Sequence, residues 1–201
     1  MLPTHGKIDC RTCFSVCNDV TCQPQNKWLM RNDPGAWGSS EPEILILGFS
    51  KGSTQANIYQ NGDFNDVAFG GKARSRLNSL VKAFGLLGQG GDISLDISNP
   101  NSRYAFGSLV RCSLTREDRN GKHQCSGELI LKSFKEIPDI LSRCSERFLM
   151  DLPDKTRLVL MLGVTDKYID ECFKLISKIH PKVGRINSVS YGDEDRIFIH
   201  V

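Results

Sequence analysis

With 201 residues, 24% charged side chains and a formal net charge of +3, the chain has the length of one globular domain. That charge is too small to indicate nucleic-acid binding without a local basic cluster. No apolar run reaches the length of a membrane span, and the start, MLPTHGKIDC, lacks the apolar core of a signal peptide, so a cytoplasmic protein without a membrane partner is expected. Eight cysteines in a reducing compartment point to metal or cluster ligation, not disulfides.

Four of these cysteines come first. Cys10 and Cys13 form a CxxC pair, which lets two thiolates reach one metal; Cys17 and Cys22 follow. Either all four hold zinc locally, although intervals of two, three and four residues fit no common ribbon, or the CxxC supplies half of an iron–sulfur site completed by distant cysteines. Residues 23–40, rich in Asn, Pro, Gly and Trp, read as an ordered loop anchored by Trp28 and Trp37. Ile44 to Gly48 is a short apolar run of the kind that forms a strand buried on both faces. Gly48 and Gly52 bracket a tight loop at its carboxyl end, where open α/β sheets place ligands. It is not a phosphate-binding P-loop, which needs Lys directly after its second Gly; here Lys51 precedes Gly52.

Ser53 to Asp66 reads as a polar loop. A helix is predicted from Lys72 to Leu87, with Ala73, Leu77, Leu80, Val81, Phe84 and Leu87 at helical spacing. Lys72, Arg74, Arg76 and Lys82 share it without an acidic residue; they could follow a phosphate backbone or simply face solvent. Residues 90–103 read as a loop, Tyr104 to Cys112 as a strand, and 113–124 as a long polar loop. A helix from about Ser126 to Met150 must kink or break at Pro138. Its stripe of Ile130, Phe134, Ile137, Leu141, Cys144 and Phe148 turns Cys144 inward, as a core thiol would be. Arg157 to Gly163 is another buried strand, and Thr165 can cap a helix with Ile169, Cys172, Phe173, Ile176 and Ile179 inward. Two strands around a turn at 192–195 close the chain. Buried strands alternating with amphipathic helices predict an α/β fold. We expect a three-layer α/β/α sandwich with a central, mainly parallel four-stranded sheet, one domain over 1–201 with the Cys-rich segment 1–40 packed on it.

The ordered set of segments resembles the uracil-DNA glycosylase superfamily, most closely its iron–sulfur branch (family 4 and its relatives). The counterparts of that branch's CxxC, GEAPG, PFVGRAG, NVVKC and cysteine-bearing helix are Cys10 and Cys13, GFSKG, VAFGGKARSRL, GSLVRC with Cys112, and the helix with Cys144. The likeness covers nearly the whole chain. It implies that Cys10, Cys13, Cys112 and Cys144 hold one [4Fe–4S] cluster of structural role, with zinc as the alternative metal. It implies a monomer acting on DNA by base extrusion and N-glycosidic hydrolysis. Gly48, Phe49, Phe69 and Ser108 would form the base site, with Phe69 as the stacking platform, and Lys72, Arg74 and Arg76 would contact DNA phosphates.

Several positions depart from the family pattern. Phe49 stands where the family-4 loop has a Glu that orients water. Ser50 takes the place of a loop Asn in mismatch-directed relatives; it is the candidate catalytic residue, though a poor base. Ser108 replaces the Asn that reads the uracil edge and lacks the amide's paired donor and acceptor. The family's HPS motif would begin just beyond Val201, and His200 is no clear substitute. Hydrolysis is therefore expected to be impaired. The alternatives are a non-catalytic nucleic-acid-binding or damage-sensing iron–sulfur module, and a zinc-binding α/β protein.

Overall fold

A computed structural model describes residues 1–14 and 20–201. The chain runs β1 (Gly6–Lys7), β2 (Thr21–Cys22), β3 (Trp28–Arg31), β4 (Gly35–Gly38), β5 (Ile44–Gly48), α1 (Ser53–Asn61), a 3-10 turn (Phe64–Asp66), α2 (Lys72–Ala83), α3 (Ile93–Ile97), β6 (Tyr104–Ser108), β7 (Ser113–Glu117), β8 (His123–Gln124), α4 (Glu128–Glu136), α5 (Pro138–Leu149), β9 (Leu158–Met161), α6 (Asp166–Ile179), β10 (Gly184–Arg185), β11 (Ser190–Gly192) and β12 (Ile197–His200). The fold is mixed α/β.

Strand β5 sits inside the larger sheet, whose order is β1-β4-β6-β5-β9-β12-β11-β10. Its neighbours β6 and β9 both run parallel to it, and β12 runs parallel to β9; the outer strands pair antiparallel. Side chains of β5 alternate between two cores. Leu45 and Leu47 enter one with Val159, Met161, Leu141, Ile169 and Cys172. Ile44 and Ile46 enter the other with Leu77, Val81, Ile93, Ile97 and Phe106. Period-two alternation in a strand apolar on both faces demands this division. Helices α4, α5 and α6 thus serve the first core, α2 and α3 the second.

The expected four-stranded sheet is corrected to eight strands, four of them mutually parallel in the middle. A second, four-stranded sheet (β2-β3-β7-β8) was not anticipated. Its strands are antiparallel; β3, β7 and β8 come from the stretches read as loops, 23–40 and 113–124, and β2 from the cysteine-rich segment just before them. Residues 53–66 hold α1 and a 3-10 turn, and 90–103 hold α3, capped by the Asp92 carboxylate accepting from the Ser94 N–H. Polar sequence concealed these elements: α1 buries only Ala56. Helix α2 stops at Ala83, four residues earlier than expected, because Gly85 turns left-handed (φ +67°) and the Leu86 N–H closes back on the Val81 carbonyl. Pro138 does break the long helix. It opens α5, where a missing N–H costs nothing. The first residues join the larger sheet: Gly6 and Lys7 pair with β4, and the Leu2 N–H donates to the Ser40 carbonyl. Among the described residues no helix is long and apolar enough to cross a membrane.

Candidate metal centre and base pocket

The parallel strands β5 and β6 end side by side, and their following segments stay joined. The N–H groups of Leu109, Val110 and Leu114 donate to the carbonyls of Gly48, Phe49 and Lys51. A single parallel bridge links Lys51 to Ser113. Two cavities lie beside this seam.

The first is lined by Cys10, Cys13, Cys112 and Cys144, with Arg111, Arg143, Arg147 and Phe148. Segments distant in sequence, the amino-terminal turn, the end of the β6 loop and helix α5, therefore meet at one cavity. All four cysteines are free. As they stand, no three Cys, His, Asp or Glu side chains among the described residues are close enough to ligate one ion, and the cavity, about 20 Å³, has room for about one water. Burial pushes the Cys144 thiol up to about 11, against the opposing pull of the Arg111 N–H and guanidinium. Burial also raises Cys112 and Cys13, and Cys10 adds to the rise at Cys13. These thiols would ionise together only with a cation to hold their charge.

The surroundings favour a negatively charged centre. Arg111 is 2% exposed, its Nε has no hydrogen-bond partner among the described residues, and its guanidinium lies 5.2 Å from the Phe148 ring centroid. Among the described residues no carboxylate lines this cavity. A metal centre held by four thiolates carries net negative charge and would supply the missing counter-charge. The Arg111 N–H already donates to Cys144 Sγ at 3.2 Å. By charge and donor chemistry the residues fit such a group, although a cavity with room for about one water must widen to admit it.

Of the remaining cysteines, Cys17 lies outside the described residues. Cys22 is disulfide-bonded, which corrects the expectation that no cysteine is paired and removes it from a local four-cysteine zinc site. Cys125 faces Ser50, Sγ to Oγ 3.0 Å. Cys172 is buried in the core under α6, as its spacing indicates.

The second cavity is lined by Gly48, Ser50, Lys51, Gln55, Phe69, Gly107 and Ser108, with Trp37 among its walls. Phe69 adopts φ +52°, in the left-handed region that a bulky residue rarely occupies. Arg74 holds it there, donating from Nη2 to the carbonyls of Asn65 and Ala68 and pairing with Asp66 at 3.5 Å. The Phe69 ring stands edge-on to Phe106 and 3.4 Å from where a Gly48 Cβ would lie. In its present form the cavity is narrow, about 30 Å³, so a base enters only if its rim opens.

The polar groups here are largely engaged. Ser108 donates to the Val110 carbonyl at 2.7 Å, and Gln55 accepts from the Gly52 N–H and donates to the Val67 carbonyl. Phe49 does not line this cavity. Its side chain points to the opposite core, against Phe134 and Tyr168. His200 is also elsewhere, buried between the Gly163 carbonyl (2.8 Å from Nδ1) and Tyr191 Oη (3.1 Å from Nε2). Lys72 and Arg76 are exposed on α2, whereas Arg74 is spent on the backbone that carries Phe69.

Sequence reading missed Asp33, Lys51 and Arg111. Lys51 is buried, 3.7 Å from Asp33 Oδ1, and donates to the Arg111 carbonyl. Its Nζ lies about 6 Å from the Trp37 and Tyr59 ring centroids. Burial lowers its pKa, and Asp33 opposes that shift. Asp33 itself accepts from the Ser113 N–H at 2.6 Å and from the Ser113 hydroxyl. One signal was available: Arg111 interrupts an apolar run, GSLVRCSL, and a cation in such a run is buried and needs a partner. A roomier cavity of about 590 Å³, between the starts of α4 and α6, is walled mainly by Ile130, Leu131, Leu162, Val164 and Tyr168 and holds none of these groups. No protein-family model matches the chain, and no curated protein matches it.

Proposed function

We propose that this chain is a uracil-DNA glycosylase-like iron–sulfur protein that receives an extruded DNA base beside Phe69, with hydrolysis of the N-glycosidic bond impaired. Its scaffold is read as a three-layer α/β/α sandwich around the four parallel strands, working as a cytoplasmic monomer. The observation that carries the reading is the convergence of Gly48, Ser50, Phe69 and Ser108, from three separate segments, on one cavity at the carboxyl ends of β5 and β6. That edge is where parallel sheets bind ligands.

Cys10, Cys13, Cys112 and Cys144 would hold the [4Fe–4S] cluster, which supplies a compact anionic staple between the amino-terminal turn, the β6 loop and α5. Phe69 offers a flat face for the base, and its fixed backbone limits the entropy lost on stacking. Lys72 and Arg76 are placed to follow a phosphate backbone. Hydrolysis needs a water activated by a base and a group that stabilises the departing anion. Among the described residues neither a carboxylate nor an imidazole lines this cavity, and Ser50 shares its hydroxyl with Cys125. That observation favours the second reading, a module that binds extruded bases without cutting.

Binding of a duplex with one U·G mismatch, followed by fluorescence anisotropy, tests the pocket. Phe69→Ala should weaken binding by about 1–3 kcal/mol, the worth of one base–aromatic stack, with the melting temperature little changed. Equal affinity of two well-folded proteins would remove Phe69 from the site.

A further inference from the structure

Arg111 lines the cysteine cavity and touches two residues in the wall of the other. Its N–H donates to Cys144 Sγ, and its carbonyl accepts from Lys51 Nζ, a residue in the wall of the base pocket. Its guanidinium packs on Gly107, another residue of that wall: a Cβ on Gly107 would fall 1.8 Å from Arg111 Nη1. Gly107 has no side chain because the guanidinium occupies its place. The charge around this residue is unbalanced. Lys51 and Arg111 are both buried cations, and Asp33, between β3 and β4, lies 3.7 Å from Lys51. A buried cation without a counter-charge is costly, and the structure relaxes to find one.

We propose that Arg111 is a positioning residue that couples the cysteine cavity to the base pocket, so that a negatively charged four-thiolate metal centre sets the Gly107–Ser108 wall and the Lys51 ammonium for base binding. The proposal rests on the assignment of the two cavities given above. With the centre in place, the guanidinium has its counter-charge and stays against Gly107. Without it, the guanidinium is held against Gly107 by packing alone, with Phe148 on its other side, and the wall it supports and the lysine tied to its carbonyl are held less firmly. Coupling of this kind is reciprocal: bound DNA must tighten the metal by the factor by which metal tightens DNA.

The test uses the full chain, loaded with iron and sulfide or with zinc, and the same chain stripped by a chelator. Amide hydrogen exchange at Lys51, Gly107 and Ser108 should slow on loading, and the U·G duplex should bind about 5- to 150-fold tighter to the loaded form, the usual range of such coupling. In Arg111→Met, metal content should persist while both responses vanish; Arg111→Lys, which keeps the cation, should recover part of each. Exchange at Gly107 and Ser108 that ignores loading overturns the coupling, as does an Arg111→Met protein that responds like wild type. If Arg111→Met does not fold, the wild-type loaded and stripped forms still decide the matter. Exchange that responds to loading while the duplex binds both forms equally would keep the coupling between the cavities and retire the base-pocket reading.

Discussion

The two cavities flank one backbone seam, yet their chemistry is opposite. The cysteine cavity has donors and positive charge in excess of its partners: four free thiols, the buried Arg111, the exposed Arg143 and Arg147, and no lining carboxylate among the described residues. The base pocket has almost nothing to spare, since Ser50, Gln55 and Ser108 already direct their polar groups at the protein itself. An unfinished set of donors and a satisfied set offer a ligand different chemistry. On the proposed reading, this contrast separates a centre to be filled from a pocket that can only hold.

The largest effect concerns the filled side. Protein prepared without oxygen should be brown, with iron and sulfide in comparable amounts. Cys10→Ala, Cys13→Ala, Cys112→Ala and Cys144→Ala should each abolish the colour, while Cys172→Ala should keep it. Stoichiometric zinc in a colourless protein would instead make the centre mononuclear. The next effect concerns the holding side. Lacking a general base, usually worth about 10²–10⁴-fold, the chain should release uracil from DNA very slowly or not at all in a multiple-turnover gel assay. Rapid turnover would mean that a group outside this pocket carries the chemistry.

Two glycines sharpen the comparison further. Gly107→Ala drives a methyl into the Arg111 guanidinium and should cost about 1–3 kcal/mol in denaturant unfolding, the range for overpacking. Gly48→Ala meets the Phe69 ring at ordinary contact distance and should be tolerated in stability while narrowing the pocket. Equal costs would deny that Arg111 is the tighter constraint. The smallest effect is a pH dependence remote from both cavities. Burial lowers the His200 pKa below its ordinary 6.5, with Arg185 adding to this and the Gly163 hydrogen bond opposing. The unfolded chain then takes up the proton first, so the contribution of His200 to stability is present above pH 6.5 and is lost as pH falls through the lowered folded value. His200→Gln should flatten that acid slope in urea titrations; His180, lowered mainly by burial, sustains the remainder.

Much of the central sheet was legible because buried parallel strands are continuous apolar runs; Ile44–Gly48 was located to the residue. The helices over 128–149 and 166–179 were legible from stripes at steps of three and four. What escaped detection was polar. Strand β8 is fully exposed and α1 buries a single alanine, so neither leaves a periodic trace. The four cysteines of the centre are separated by up to 134 positions, and spacing alone could not bring them together; only the resemblance implied it, and their shared cavity is consistent with it. Lys51 and Asp33 were invisible for another reason. A buried ion pair is written in the same letters as a surface one, and only the surrounding fold distinguishes them.

The seam between residues 48–51 and 109–114 has a mechanical consequence. One side of the base pocket is a fixed jaw, since moving it would break three backbone hydrogen bonds and the Lys51–Ser113 bridge together. The other side, Phe69, is tied by two side chains, Arg74 on the Asn65 and Ala68 carbonyls and Gln55 on the Val67 carbonyl, and sits in a backbone conformation that stores about 1–3 kcal/mol. Widening of the cavity is therefore easier from the Phe69 jaw, which behaves as a loaded spring with Arg74 and Gln55 as its catches. Release of these catches would relieve strain as the mouth opens, so the opening is governed by two side chains and not by the sheet.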